Sequence, residues 1–290
     1  MTRRIALLVN PTSGKGRGAT LVEPLSARLR SAGHGVDVVV GRDADEAFDR
    51  VRDQVARGVD ALVAVGGDGL VNLALQVVAG TDVPLGVVPA GTGNDIARAL
   101  GIPLGDPLAA ADLVLRGTTR PVDLGRADGR WFGGVLGSGF DSMVNERANR
   151  MSWPTGRSRY NLAIVLELRT FRPVPYVLEL DGEPWTTEAM LVAVGNGPSY
   201  GGGMKVCPDA DLGDGLLDVT VLGPISKPEF LRVFPTVYKG THVQHPAVTV
   251  KRARSVVLRA EGVTAYADGE RVAALPVRCE AVPSALRVFE

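Results

Sequence analysis

The sequence predicts an α/β domain with a parallel sheet, followed by a β domain with antiparallel strands. Two observations carry this. First, apolar runs alternate with helical patterns over the first ~120 residues, and three of those runs end in glycine-rich loops. Second, the pattern changes near Pro121 to short β-rich runs separated by turn dipeptides.

The first strand is read at Ile5–Val9, with a helix from about Thr20. Val36–Val40 is β-branched and forms the second strand. Asp43–Arg57 carries Ala47, Val51 and Val55 at four-residue spacing, and Asp43 suits an N-cap. Ala61–Val65 is the third strand. Leu70–Ala79 is apolar almost all round, so that helix is expected to be largely buried. Leu85–Val88 is the fourth strand, and Ile96–Leu100 begins the fourth helix. Strands this apolar imply a parallel sheet covered on both faces. After Pro121 the expected strands are Trp131–Leu136, Tyr176–Leu180, Ala189–Val194, Leu217–Leu222, Val248–Val250, Ser255–Arg259 and Val263–Ala267. Asp128-Gly129, Asp181-Gly182 and Asp268-Gly269 mark turns, and helices are expected near Arg159–Thr170 and Pro228–Tyr238. The expected division is residues 1–121, α/β, and 122–283, an antiparallel β-sandwich. A final strand at 284–290 is expected to pack back onto the first part.

Composition narrows the function. The 290 residues are 45% hydrophobic and 22% charged with zero formal net charge, so no global field recruits nucleic acid or anionic lipid. Cys207 and Cys279 have neither disulfide-framework nor metal-type spacing, which fits a reducing cytosol. Arg3 and Arg4 precede too short an apolar run for a signal peptide, and no window is long enough to span a bilayer. The expected location is cytoplasmic, with peripheral contact at the inner membrane face.

Loops that follow strands of a parallel sheet emerge at one edge, so the three glycine-rich loops are expected to converge on a phosphorylated ligand. The first is Asn10-Pro11-Thr12-Ser13-Gly14-Lys15-Gly16-Arg17-Gly18. Its glycines let amides approach an anion, and the following helix points its positive end there. It is neither a Walker A nor a GxGxxG motif; the plainer alternative is a mobile surface loop. In Gly66-Gly67-Asp68-Gly69 the paired glycines allow a tight turn that places Asp68 at the sheet edge. Asp68 could hold a metal-bound water, act on a hydroxyl, or simply cap the next helix. Gly91-Thr92-Gly93-Asn94-Asp95 repeats the pattern, as ligand or as helix cap.

Taken in order, these loops resemble the diacylglycerol kinase catalytic-domain family, which includes sphingosine and ceramide kinases, and most of all its bacterial soluble lipid kinases. The resemblance continues through Gly195-Asn196, Gly201-Gly202-Gly203, Pro208-Asp209-Ala210, Asp214-Gly215-Leu216-Leu217-Asp218 and Asp268-Gly269-Glu270. It implies a phosphofructokinase-like N-terminal α/β domain, a C-terminal β-sandwich and a cleft between them. It further implies an ATP- and Mg2+-dependent lipid kinase of phospholipid biosynthesis, with diacylglycerol converted to phosphatidic acid. By resemblance, Asn10, Pro11, Thr12, Ser13, Gly14, Gly66, Gly67, Asp68, Gly69, Leu70, Val71, Asn72 and Thr92 line the nucleotide. Glu270 is placed as proton acceptor, with Asp68 and Asp95 organising magnesium and water. The carbonyls of Asp211 and Leu216 and the carboxylate of Asp214 would hold a structural magnesium; a bare Gly-Asp-Gly turn is the alternative. Leu70 and Leu73 stand where the family often has threonine and an acidic residue, and a threonine often found after the second strand would fall near Gly41.

Between Arg147 and Tyr160, arginines alternate with Met151, Trp153 and Tyr160, a mixture that suits a lipid interface or a solvated loop beside a hinge. Exposed strand edges could pair two copies as a homodimer. An NAD kinase-like enzyme, which also uses a GGDG turn, and a non-catalytic nucleotide-binding regulator are the rival readings.

Overall fold

The computed structural model describes residues 2–290 apart from 152, 155 and 156. The chain divides into two compact units, Met1–Leu124 with Leu212–Asp214 and Val282–Glu290, and Gly125–Asp211 with Gly215–Ala281.

The first unit contains β1 (Arg4–Val9), α1 (Ser13–Ser31), β2 (Gly35–Val39), α2 (Ala44–Ala56), β3 (Ala61–Gly66), α3 (Asp68–Val78), β4 (Leu85–Pro89), α4 (Asp95–Ala99) and α5 (Pro107–Arg116). The four strands are parallel in the order β2-β1-β3-β4. Every residue of β3 and β4 is buried, as strands covered on both faces must be. Asp43 caps α2, its carboxylate accepting the Glu46 N–H at 2.8 Å. The strand order reverses between β1 and β3, and ligands of open α/β sheets bind at such a switch point. The loops after β1 and β3 leave the sheet there.

Two details depart from the expected elements. α1 begins at Ser13, not Thr20, but Gly14, Lys15 and Gly16 are left-handed within it, so regular helix starts only after that turn. Gly41, near which the family's threonine would fall, sits so close to α2 that a Cβ would lie 2.4 Å from the Ala47 nitrogen. A β-branched residue does not fit this backbone path.

The second unit begins within β5 (Thr119–Ala127) and continues through β6 (Arg130–Phe132), β7 (Val135–Gly139), α6 (Phe140–Arg150), α7 (Arg157–Thr170), β8 (Val174–Leu180), β9 (Glu183–Ala189), β10 (Leu191–Gly195), β11 (Leu217–Leu222), α8 (Lys227–Val233), two 3-10 turns (Phe234–Lys239 and Thr241–Gln244), β12 (Val248–Ala253), β13 (Ser255–Arg259), β14 (Thr264–Ala267), β15 (Glu270–Ala274) and β16 (Val277–Phe289). One antiparallel sheet runs β12-β11-β10-β7-β14-β15. In a second, β13 lies between β16 and β8, and β8 pairs with β9. Leu136, Val192, Leu217 and Ala265 from the first sheet share a core with Tyr176, Val256, Leu258 and Cys279 from the second. That is a β-sandwich. The last residues of β16 belong to the first unit, where Val288 pairs in parallel with Leu85. Cys207 and Cys279 are buried free thiols.

α6 interrupts what the sequence reads as β-rich chain. It buries Phe140, Val144 and Ala148, spaced four residues apart, in one cluster with Phe171, which follows α7, and Phe230 of α8. Arg147, expected in an interfacial stretch, is therefore helical, and its guanidinium pairs with Glu167 of α7. The side chains of Arg157 and Tyr160 lie outside the described residues. Among the described residues, no helix is long and apolar enough to cross a membrane.

Candidate active site

In the first unit the three glycine-rich loops touch one another through their glycines. A Cβ on Gly14 would lie 2.1 Å from the Ala90 carbonyl oxygen, so loop one rests on loop three. A Cβ on Gly91 would lie 2.5 Å from the Gly67 Cα, so loops two and three meet backbone to backbone. A Cβ on Gly93 would lie 2.6 Å from Asp68 Oδ2, which places that carboxylate against loop three. Side chains at these positions would force the loops apart.

Each loop is braced locally. Asn10 Oδ1 accepts from the Thr12 N–H at 3.0 Å and the Thr12 hydroxyl at 2.8 Å. Asn94, left-handed at φ 55, accepts from Gly91 N–H at 3.0 Å and donates back to the Gly91 carbonyl at 2.9 Å. Asp68 Oδ1 accepts from Ile96 N–H at 3.2 Å. Burial raises the Asp68 pKa above the ordinary carboxylate range, and the Asp95 charge adds to the rise. Asp95 is buried and pairs with the Arg98 guanidinium at 2.6 Å. Thr12, Gly69 and Thr92 are exposed, whereas Pro11, Ser13, Gly14, Gly67 and Asp68 are half-buried. Leu70 and Val71 are buried, and their N–H groups donate to the Gly67 carbonyl. Leu70 packs over Gly66, where a threonine would leave part of that contact unfilled. Asn72 is buried, with its side-chain oxygen 3.4 Å from Gln76 Nε2.

The contact between loops one and three can be isolated. Gly14→Ala is expected to destabilise the chain by about 1–3 kcal/mol and to weaken nucleotide binding. Gly16→Ala also meets a positive φ but has nothing within 4 Å, so it should cost only the backbone strain. Urea melts and nucleotide titration of the two variants check this.

In the second unit Glu270 is exposed and opens β15 directly after the Asp268-Gly269 turn. Asp268 and Gly269 are both at positive φ, 51 and 87. The Asp268 carboxylate is committed to structure: Oδ2 accepts from Gly133 N–H and Oδ1 from Gly134 N–H, each at 2.9 Å. Leu212, which belongs with Asp214 to the first unit, is buried, and its carbonyl accepts from Asp123 N–H at 2.7 Å. Asp214 is exposed beside Gly215, whose φ is 72. Among the described residues no group of three or more His, Cys, Asp or Glu side chains is placed to hold a metal ion. Magnesium needs no such group, because it takes carbonyl, water and phosphate oxygens with one or two carboxylates. Carbonyl oxygens and a carboxylate, the donors that Asp211, Leu216 and Asp214 carry, are of the type magnesium takes.

Sequence reasoning passed over one polar pair. Asp141, at the start of α6, accepts from the Tyr200 hydroxyl at 3.1 Å and from Ser142 N–H at 2.8 Å. Its Oδ2 lies where a Cβ on Gly137 would be, at 1.8 Å. Strand, glycine pair, then helix-opening aspartate is the pattern of Gly67-Asp68 again, in Gly137-Ser138-Gly139-Phe140-Asp141. That repetition was the available signal. Burial pushes the Asp141 carboxyl up to about 6. A raised acid pKa favours the folded state fully at low pH, and that stabilisation is lost as pH rises through about 6. Asp141→Asn should therefore flatten the fall in thermal stability between about pH 4 and 6, measurable by melts across that range.

Known proteins match this architecture from end to end. The diacylglycerol kinase catalytic domain matches residues 4–127, and the YegS C-terminal NAD kinase beta sandwich-like domain matches residues 134–290. A diacylglycerol kinase of Mycobacterium tuberculosis is 47% identical over 292 residues, spanning 99% of this chain and 94% of that protein. The chain belongs to the diacylglycerol kinase family. A Bacillus subtilis diacylglycerol kinase is 32% identical over 278 residues, 94% of this chain and 92% of that one. A crystal structure from Bacillus anthracis superposes with a TM-score of 0.80 at 25% identity, covering 99% of this chain and 95% of the other. Membership makes the chain a kinase-type transferase.

Proposed function

We propose that the chain is an ATP- and Mg2+-dependent lipid kinase that transfers the γ-phosphate to a hydroxyl of diacylglycerol, giving phosphatidic acid. One observation supports the phosphoryl-transfer part: three glycine-lined loops in contact, two of them leaving the sheet at its switch point, with the Asp68 carboxylate of the second against the third. The relatives' names support the lipid acceptor.

In this reading Asn10 to Gly14, Gly66 to Asn72 and Thr92 line the nucleotide, the loop amides facing its phosphates. Lys15 or Arg17 adds positive charge. Magnesium, when bound, neutralises charge on the transferred group. Asp68 and Asp95 would hold it and its waters in place, and Asp211, Asp214 and Leu216 would hold a structural ion. Glu270 accepts the proton as the lipid hydroxyl oxygen bonds to the γ-phosphorus and ADP departs. The enzyme works in the cytoplasm, at the inner membrane face.

Incubation with γ-labelled ATP, magnesium and a total lipid extract should yield labelled phosphatidic acid, identified by mass. Label on a sphingoid base or phosphatidylglycerol would change the acceptor. The second unit's likeness to an NAD kinase sandwich makes NAD the water-soluble control, and label on NAD alone would overturn the lipid reading.

A further inference from the structure

Glu270 is exposed, and β15, which it opens, is the last strand of its sheet. Segments with exposed backbone hydrogen bonds and few buried contacts open most readily. A base works only if its carboxylate stays within hydrogen-bond reach of the proton it takes. What holds this edge hairpin therefore bears on turnover.

Two anchors act on the two residues just before Glu270. The first is at Asp268, whose carboxylate accepts from Gly133 and Gly134 N–H. That glycine pair is fixed in turn. The buried Asn196 donates its side-chain amide to the Gly133 carbonyl at 3.1 Å, and the Asn196 and Gly197 N–H groups donate to the Gly134 carbonyl at 2.9 Å each. The second anchor is at Gly269, whose carbonyl accepts from Asn145 Nδ2 of α6 at 3.4 Å. In β14 the Tyr266 hydroxyl donates to Glu146 Oε1 at 3.3 Å. Neighbouring residues of α6 thus hold Gly269 and Tyr266, on either side of Asp268.

α6 can lie there because of Gly137. β7 pairs with β14 so that Gly137 stands opposite Tyr266. Asp141 Oδ2 fills the space that a Gly137 side chain would occupy, and the Tyr200 hydroxyl donates to it at 3.1 Å. Asp141 and Asn145 are four residues apart, so they share one face of α6. The first turn of the helix is seated on Gly137, and the next brings Asn145 to Gly269. The hairpin at Asp181-Gly182-Glu183 has the same turn and its own aspartate anchor. The bond from α6 is what the Asp268 hairpin carries in addition.

We propose that Asn145 and Tyr266 are positioning residues for Glu270, fixing the hairpin against α6 so that the carboxylate meets the substrate hydroxyl at one place. Their role deepens the reading of Glu270 as proton acceptor and rests on it. Asn145→Leu, close in size but without a donor, should lower turnover about tenfold to a hundredfold with the KM for ATP unchanged. Asn145→Gln, which keeps an amide donor, should recover part of the loss. Tyr266→Phe should lower turnover several-fold. In a Glu270→Gln chain neither Asn145→Leu nor Tyr266→Phe should have a further effect, because a residue that acts only through Glu270 has nothing left to position. Hydrogen exchange in the segment 264–272 should quicken in both variants while the melting temperature holds.

Unchanged exchange in both variants would remove the brace. Faster exchange with full turnover, or losses that persist undiminished in the Glu270→Gln chain, would overturn the positioning role and leave Glu270 as the acceptor. A raised KM for the lipid at unchanged kcat would make Asn145 a substrate contact and overturn the role as well. If Glu270→Gln is itself fully active, the acceptor reading falls and the positioning role falls with it.

Discussion

Asp68→Asn is expected to cut phosphoryl transfer about 10²–10⁴-fold while leaving the chain as stable as before, or more so, at neutral pH. The two halves of this result come from the same geometry. The carboxylate is half-buried against Gly93 and beside Asp95, so burial and like charge both disfavour its ionised form. Its folded pKa is thus raised above its unfolded one. The folded state holds the proton more tightly, and the corresponding stabilisation is present at low pH and lost as pH rises through the folded value. Ionising the group is a cost to the fold, and asparagine removes the charge while its oxygen still accepts from Ile96 N–H. A site that retains such a cost is one where the charge has work to do. Turnover at saturating ATP and thermal melts at pH 5 and pH 8 check the prediction. Full activity in the variant would remove Asp68 from the chemistry.

How much of this was legible beforehand depended on the range of the forces involved. Asp43 as a helix cap, the buried strands β3 and β4 and the left-handed Asp-Gly turns are local, and the residues themselves announce them. The convergence of the glycine loops followed from one rule about parallel sheets. Which glycine meets which did not, because the contacts of Gly14 with Ala90 and of Gly67 with Gly91 depend on the order β2-β1-β3-β4. α6 was missed because only Phe140, Val144 and Ala148 mark its buried face in an otherwise polar stretch. β9 was missed because it is an edge strand, polar on its exposed face and carrying Pro184. Leu70, a departure from the family's threonine, makes sense only once it is seen packed over Gly66.

Glu270→Gln should lower turnover about 10²–10⁴-fold with little change in nucleotide affinity or stability, and the chain supplies its own control. Asp181-Gly182-Glu183 has the same sequence as Asp268-Gly269-Glu270 and the same backbone, with φ of 50 and 90 against 51 and 87. In both turns the aspartate ties down amides from elsewhere, Arg254 and Ser255 in the first case, Gly133 and Gly134 in the second. In both, the glutamate is exposed and opens an edge strand. Turn geometry therefore does not distinguish them, and neither carboxylate is needed for the hairpin. Any difference between them must come from where the hairpin meets substrate. Glu183→Gln should be indistinguishable from the parent chain in turnover, and Glu270→Gln should be crippled at every ATP concentration. Equal, full activity in both variants would strip Glu270 of its role and leave Asp68 as the acceptor of the hydroxyl proton.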